Sequence, residues 1–90
     1  MLRKSMMING NDTVAILLEN AEKGDTIEAL GEVITLLEDV EFAHKAAITD
    51  HGEMSPVIKY GEEIGYLPGG APKGTWIHNH IMKCDRGRRP

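Results

Sequence analysis

Cysteine is nearly missing from this chain, with Cys84 as its single example. One thiol closes no intrachain disulfide, so the fold is expected to rest on its core alone in a reducing cytoplasm, with Cys84 as a bystander. Aromatics are scarce as well: Phe42, Tyr60, Tyr66 and Trp76 are the full set, too few for a base-stacking surface. Positive charge is in deficit, with 10 Lys and Arg against 14 Asp and Glu and a net charge of −4. A phosphate-backbone footprint needs clustered cations, so no nucleic-acid partner is expected. Long apolar runs are missing too, and none approaches the roughly 20 residues of a membrane span. The basic start Met1-Leu2-Arg3-Lys4-Ser5 meets Asn9, Asn11 and Asp12 before a signal-like stretch forms. No membrane association is expected.

What remains is one small globule. Ninety residues, 41% hydrophobic and 27% charged, build one domain with a modest core. A chain of this size does not enclose a substrate by itself. If catalytic, it shares its site with a second copy or another chain. Residues 1–12 read as a leading segment, 13–82 as the domain, and 83–90 as a basic tail that is solvated or docks on an acidic partner.

Glycine and proline cut the chain into strand-length pieces: Gly10, Gly24, Gly31, Gly52, Pro56, Gly61, Gly65, Pro68-Gly69-Gly70-Ala71-Pro72 and Gly74. That spacing points to a mainly β domain with many turns, without an apparent internal repeat. The first half stays ambiguous by local rules. Asn11 or Asp12 could cap a helix from Val14 to Lys23 that stops at Gly24, or Thr13 to Leu18 could be a buried strand. Thr26 to Leu37 has the same ambiguity, although Gly31-Glu32 at its centre favours a hairpin. Later segments are clearer. Val57-Ile58-Lys59-Tyr60 is a strand, Glu62 to Leu67 its return, and Thr75 to Met82 a final strand opened by Gly74.

On that final strand, alternation sends Ile77, Asn79 and Ile81 to one face and Trp76, His78, His80 and Met82 to the other. Two imidazoles projecting together can converge on one metal ion or one anionic group. Taken alone, an H-x-H pair reads as structural at least as readily. His44-Lys45 leads into apolar Ala46-Ala47-Ile48 and has a plain reading as a solvated strand start. Lys59 suits a carboxylate clamp and Tyr60 a proton donor, while Glu62 and Glu63 at a turn face solvent by default. His51, in Asp50-His51-Gly52, reads as a turn residue.

The order of these motifs resembles a known module. His44-Lys45, then Val57-Ile58-Lys59-Tyr60-Gly61-Glu62-Glu63-Ile64-Gly65, then His78-Asn79-His80 is similar to the SAF domain of the altronate and galactarate dehydratase family. That domain is also the small subunit in sulfolactate sulfo-lyase. The resemblance implies a mainly β, β-clip domain, with Thr13–Leu18 a strand and Lys23-Gly24-Asp25 a turn. It implies a larger lyase partner, a small hydroxy-acid substrate, β-elimination of water or sulfite, and a divalent metal (iron, manganese or similar) shared with the partner. Carried onto this chain, it makes His44, His78 and His80 catalytic candidates, with His78 and His80 as the metal ligands. Lys45, Lys59, Tyr60 and Glu62 become substrate contacts.

This sequence departs from the family pattern at four places. Ala43 stands for a glycine, Trp76 for a histidine, Ile81 for an asparagine, and residues 68–72 for a regular acidic turn. Those changes keep open a non-catalytic SAF module that binds a sugar acid or serves in assembly, and a stand-alone metal-binding domain. Self-association is a further open possibility.

Overall fold

A computed structural model describes residues 1–84; the last six residues of the basic tail lie outside the described residues. Its elements are all strands: β1 (Ser5–Met6), β2 (Val14–Leu17), β3 (Thr26–Ala29), β4 (Glu32–Thr35), β5 (Lys45–Ala47), β6 (Ser55–Lys59), β7 (Glu62–Leu67) and β8 (Trp76–Ile77). The mainly β expectation holds. No helix among the described residues is long and apolar enough to cross a membrane.

An antiparallel sheet in the order β1-β2-β5-β8 forms the centre, and the hairpins β3–β4 and β6–β7 cover its two faces. Alternation explains the sandwich. Ala15, Leu17 and Ala46 point to one face and join Ile27, Ala29, Ile34 and Leu36 of the first hairpin. Val14, Ala47 and Ile77 point to the other and join Val57 and Leu67 of the second. A strand buried on both faces is apolar at every position, which is why Val14-Ala15-Ile16-Leu17 showed no strand alternation. Full burial of Leu17, Ile27, Leu36, Leu67 and Ile77 stabilises the sandwich by about 1.5–3 kcal/mol per side chain.

The two halves repeat one plan, although the sequence shows it faintly. Each hairpin closes through two consecutive left-handed residues, Leu30-Gly31 (φ 54° and 76°) and Tyr60-Gly61 (φ 56° and 77°). That is the type I′ turn, whose twist matches paired strands. Each hairpin is also flanked by two short turns in which residue four donates its N–H to the carbonyl of residue one. The pairs are Asp25 to Glu22, His44 to Glu41, Ser55 to Gly52 and Thr75 to Pro72. The third residues, Gly24, Ala43, Met54 and Gly74, all have positive φ, as a type II turn demands. Bridges close each unit at its base, Ala21 with Val40 and His51 with Ala71. The expectation of no internal repeat is therefore corrected. Turn geometry repeats where most side chains differ.

Two further expectations need correction. The last strand ends at Ile77, because the chain turns through residues 78–81 and the His78 carbonyl accepts the N–H groups of Ile81 and Met82 at 3.0 and 2.9 Å. The turn brings Lys83 back to bridge Tyr66 and seats both Ile81 and Met82 against the second core cluster, which strict alternation forbids. His51 is buried, 7% exposed, because its backbone pairs with Ala71 and carries its ring inward.

Candidate functional site

Four rings gather at the β5–β8 edge. Strand β5 begins right after His44, and β8 pairs Trp76 with Ala46, so the turn at Ala43 delivers His44 beside the indole. The His44 ring lies 5.6 Å from Trp76 and 5.4 Å from His78, with interplanar angles of 27° and 18°. Trp76 stacks on His78 at 5.4 Å and 10°, and meets His80 at 4.6 Å. The indole Nε1–H donates to His44 Nδ1 at 3.1 Å. The Glu38 carboxylate accepts the Trp76 backbone N–H at 2.9 Å, pinning the strand that carries the ring. His44, Trp76 and His78 are half-buried and His80 is exposed, so the cluster opens to solvent.

His44, His78 and His80 are thus brought together, although a turn rather than a continuous strand does it. His78 and His80 stand 6.5 Å apart between ring centroids. Among the described residues no group of three or more His, Cys, Asp or Glu side chains is placed to hold a metal ion. The described residues do not by themselves supply the three or more donors of a metal centre.

The lysines form a second group. Lys45 pairs in register with Ile77, on the face covered by the second hairpin, opposite to the face of Trp76. Lys59 ends β6 of that hairpin, and its Nζ sits 4.9 Å above the Tyr60 ring. Desolvation first and the Lys59 charge second push the Lys45 ammonium below its ordinary pKa. Neither lysine has a carboxylate at ion-pair distance among the described residues. Glu62 is exposed at the hairpin end, in register with Lys59. The expected contacts Lys45, Lys59 and Tyr60 are therefore neighbours, while the histidines lie across the sheet from them.

Sequence reasoning missed Asp12. It is no helix cap; it is 3% exposed, and it accepts N–H groups from Ile8 and Asn9 at 3.2 Å and from Gly61 at 2.7 Å. Desolvation opposes its charge, but the backbone donors, Gly61 first, outweigh it and hold the carboxyl below its ordinary pKa. Asp12 thereby fixes the turn that carries Lys59 and Tyr60. Its local sequence, Asn9-Gly10-Asn11-Asp12, signals a turn but not its distant partner.

Comparison with known proteins places this architecture. The altronate/galactarate dehydratase SAF domain matches residues 3–85. The chain belongs to that family. It is 36% identical over 78 residues to altronate dehydratase of Escherichia coli, covering 87% of this chain and 16% of that enzyme. To galactarate dehydratase (L-threo-forming) of the same organism it is 34% identical over 76 residues, covering 83% and 14%. To the alpha subunit of (2R)-sulfolactate sulfo-lyase of Paracoccus pantotrophus it is 36% identical over 53 residues, covering 59% and 79%. This SAF chain spans about one sixth of the dehydratases it matches, and most of the sulfo-lyase subunit is covered by its similarity.

Two departures from the family pattern acquire structural meaning. Ala43 occupies a left-handed turn position (φ 72°), a conformation that favours glycine. Trp76 lies at the centre of the ring cluster, in contact with all three histidines.

Proposed function

We propose that this SAF domain is the small component of a hydroxy-acid lyase and acts with a larger chain in the β-elimination of water or sulfite. The observation that carries the reading is the gathering of His44, His78 and His80 into one solvent-open cluster, in a chain whose relatives are dehydratases and a sulfo-lyase subunit. In such an elimination a proton leaves the carbon next to the carboxylate. The electrons of that C–H bond form the C=C bond, and the β-substituent departs with its bonding pair, a hydroxyl taking up a proton to leave as water and a sulfonate leaving as sulfite. Negative charge builds on the carboxylate oxygens before departure. Imidazoles suit both the proton traffic and the charge, and acid–base assistance contributes roughly 10²–10⁴-fold. The ammonium groups of Lys45 and Lys59, on the opposite sheet face from the histidines and lacking a carboxylate at ion-pair distance among the described residues, suit an anionic group of the substrate remote from the reacting carbon.

An open cluster is a weak catalyst in water, because electrostatic stabilisation is strongest where solvent is excluded. A larger chain closing over the β5–β8 edge supplies that exclusion. The test is reconstitution. The chain alone is expected to be inactive on altronate, galactarate and sulfolactate, and a large lyase subunit added to it is expected to restore dehydration or sulfite release. Replacing both His78 and His80 with alanine should lower kcat about 100-fold or more. Full activity of that variant sinks the assignment.

A further inference from the structure

Trp76 has a chemical consequence for its neighbour His44. An indole nitrogen only donates, and Trp76 Nε1 lies 3.1 Å from His44 Nδ1. Nδ1 must therefore be the acceptor and carry no proton. A neutral imidazole has one N–H, so the proton resides on Nε2. The two rings lie nearly parallel, 27° apart with centroids separated by 5.6 Å, which lets the indole N–H approach the in-plane Nδ1 lone pair, and the bond from the Trp76 backbone to Glu38 anchors the strand behind it.

We infer that Trp76 is a positioning residue that fixes His44 as the Nε2–H tautomer, a neutral hydrogen-bond donor rather than a base or a ligand. This deepens the lyase reading and rests on it for its chemical consequence. A neutral donor that kept its proton would stabilise charge growing on a substrate carboxylate oxygen, with no bond to His44 made or broken. Losing that proton would leave an imidazolate, since the indole has none to give back through Nδ1 without breaking its own ring N–H. The proton transfers then fall to His78, His80 or the larger chain. The three histidines, alike in sequence, are therefore not equivalent in the cluster.

Nitrogen NMR of the intact chain tests this directly. The probe is the scalar coupling across the N–H···N bond between Trp76 Nε1 and His44 Nδ1, recorded at about pH 8.5, well above the ordinary imidazole range. The expected result is a resolved coupling, an indole proton protected from exchange, and an unprotonated His44 Nδ1. Trp76→Phe, which keeps a ring and removes the donor, should let His44 populate its Nδ1–H form. A missing coupling with a freely exchanging indole proton, or a wild-type His44 protonated at Nδ1, overturns the inference. In the assembled enzyme Trp76→Phe should lower kcat about tenfold, as loss of an orienting partner does, with KM unchanged; unaltered kcat overturns the positioning role. The spectrum reads the pair whether or not a lyase assembles, so failure of the bond and failure of the lyase reading are seen separately.

Discussion

The first hairpin unit, from Ala21 to Val40, and the second, from His51 to Ala71, share turns and closing bridges but differ in what they present. At the hairpin tip the first has Ala29-Leu30-Gly31-Glu32 and the second Lys59-Tyr60-Gly61-Glu62. Buried Ala29 becomes Lys59, and exposed Leu30 becomes Tyr60. The first tip is open: a side-chain carbon at Gly31 would meet nothing within 4 Å. The second is covered, since such a carbon at Gly61 would lie 2.8 Å from the Asn9 amide, and Gly61 donates to Asp12. One geometry thus serves twice, once as plain packing and once as an anchored platform for charged groups. Shared backbone geometry does not carry function; the side chains placed on it and the segment that clamps it do.

The largest effect expected from breaking this contrast is at the clamp. Asp12→Ala leaves the N–H groups of Ile8, Asn9 and Gly61 without their acceptor. Hydrogen bonds to a charged group contribute about 1.5–3 kcal/mol each net of exchange with water, and the freed N–H groups recover part of this from solvent, so a loss of about 3 kcal/mol is expected in urea denaturation. Hydrogen exchange should rise at the second hairpin tip and stay unchanged at the first. Equal loosening of both tips would show that the clamp is not local.

Next in size is the platform itself. In the assembled enzyme Lys59→Ala should raise KM about tenfold, or 1.4 kcal/mol, while Leu30→Ala at the matching tip leaves it unchanged. An unaltered KM for Lys59→Ala would assign the lysine pair to structure.

The flanking turns make a smaller, mirrored contrast. The leading turn has Gly24 in the first unit and Met54 in the second; the closing turn has Ala43 and then Gly74. Left-handed backbone costs a non-glycine residue about 1 kcal/mol. Ala43→Gly and Met54→Gly should each stabilise by somewhat less than that, because glycine also gains freedom when unfolded. Gly31→Ala should destabilise by a similar amount. A melting temperature lowered by Ala43→Gly would show that the alanine methyl packs usefully beside His44.

The smallest effect is the pH dependence at the bridges. Ala21 closes the first unit where His51 closes the second. The His51 Nδ1–H donates to the Thr49 carbonyl at 3.0 Å, and its buried Nε2 has no hydrogen-bond partner among the described residues. Desolvation, partly opposed by the Thr49 carbonyl and Asp50, lowers its pKa below 6.5. The unfolded chain then binds more protons than the folded one, so stability is complete above about pH 6.5 and falls as pH drops below it. His51→Ala, which copies the first unit, should flatten the pH profile below 6.5. The carboxylates titrate lower: Asp25, held at about 2 first by the Glu22 N–H and then by Arg3, loses its contribution only below its ordinary 3.8. An unchanged slope in His51→Ala would place the proton uptake elsewhere.

Much of this was legible in one dimension. Glycine spacing gave the mainly β class, Gly31-Glu32 and Gly61-Glu62 marked both hairpins, and the order of His44-Lys45, the Val57–Gly65 run and His78-Asn79-His80 gave the family. Those signals are local, set by residues whose backbone preferences act within a few positions. The rest depended on contacts distant in sequence. Burial on both faces erased the strand signature of Val14–Leu17. The pull of Lys83 toward Tyr66 ended β8 at Ile77 and turned the histidine segment. Sheet register sent His44 and Lys45 to opposite faces, separating residues that adjacency had joined. Finally, the 3.1 Å approach of Trp76 to His44 made a neutral donor of a residue that sequence alone described only as an imidazole, because a tautomer is chosen by the partner at the other end of the hydrogen bond.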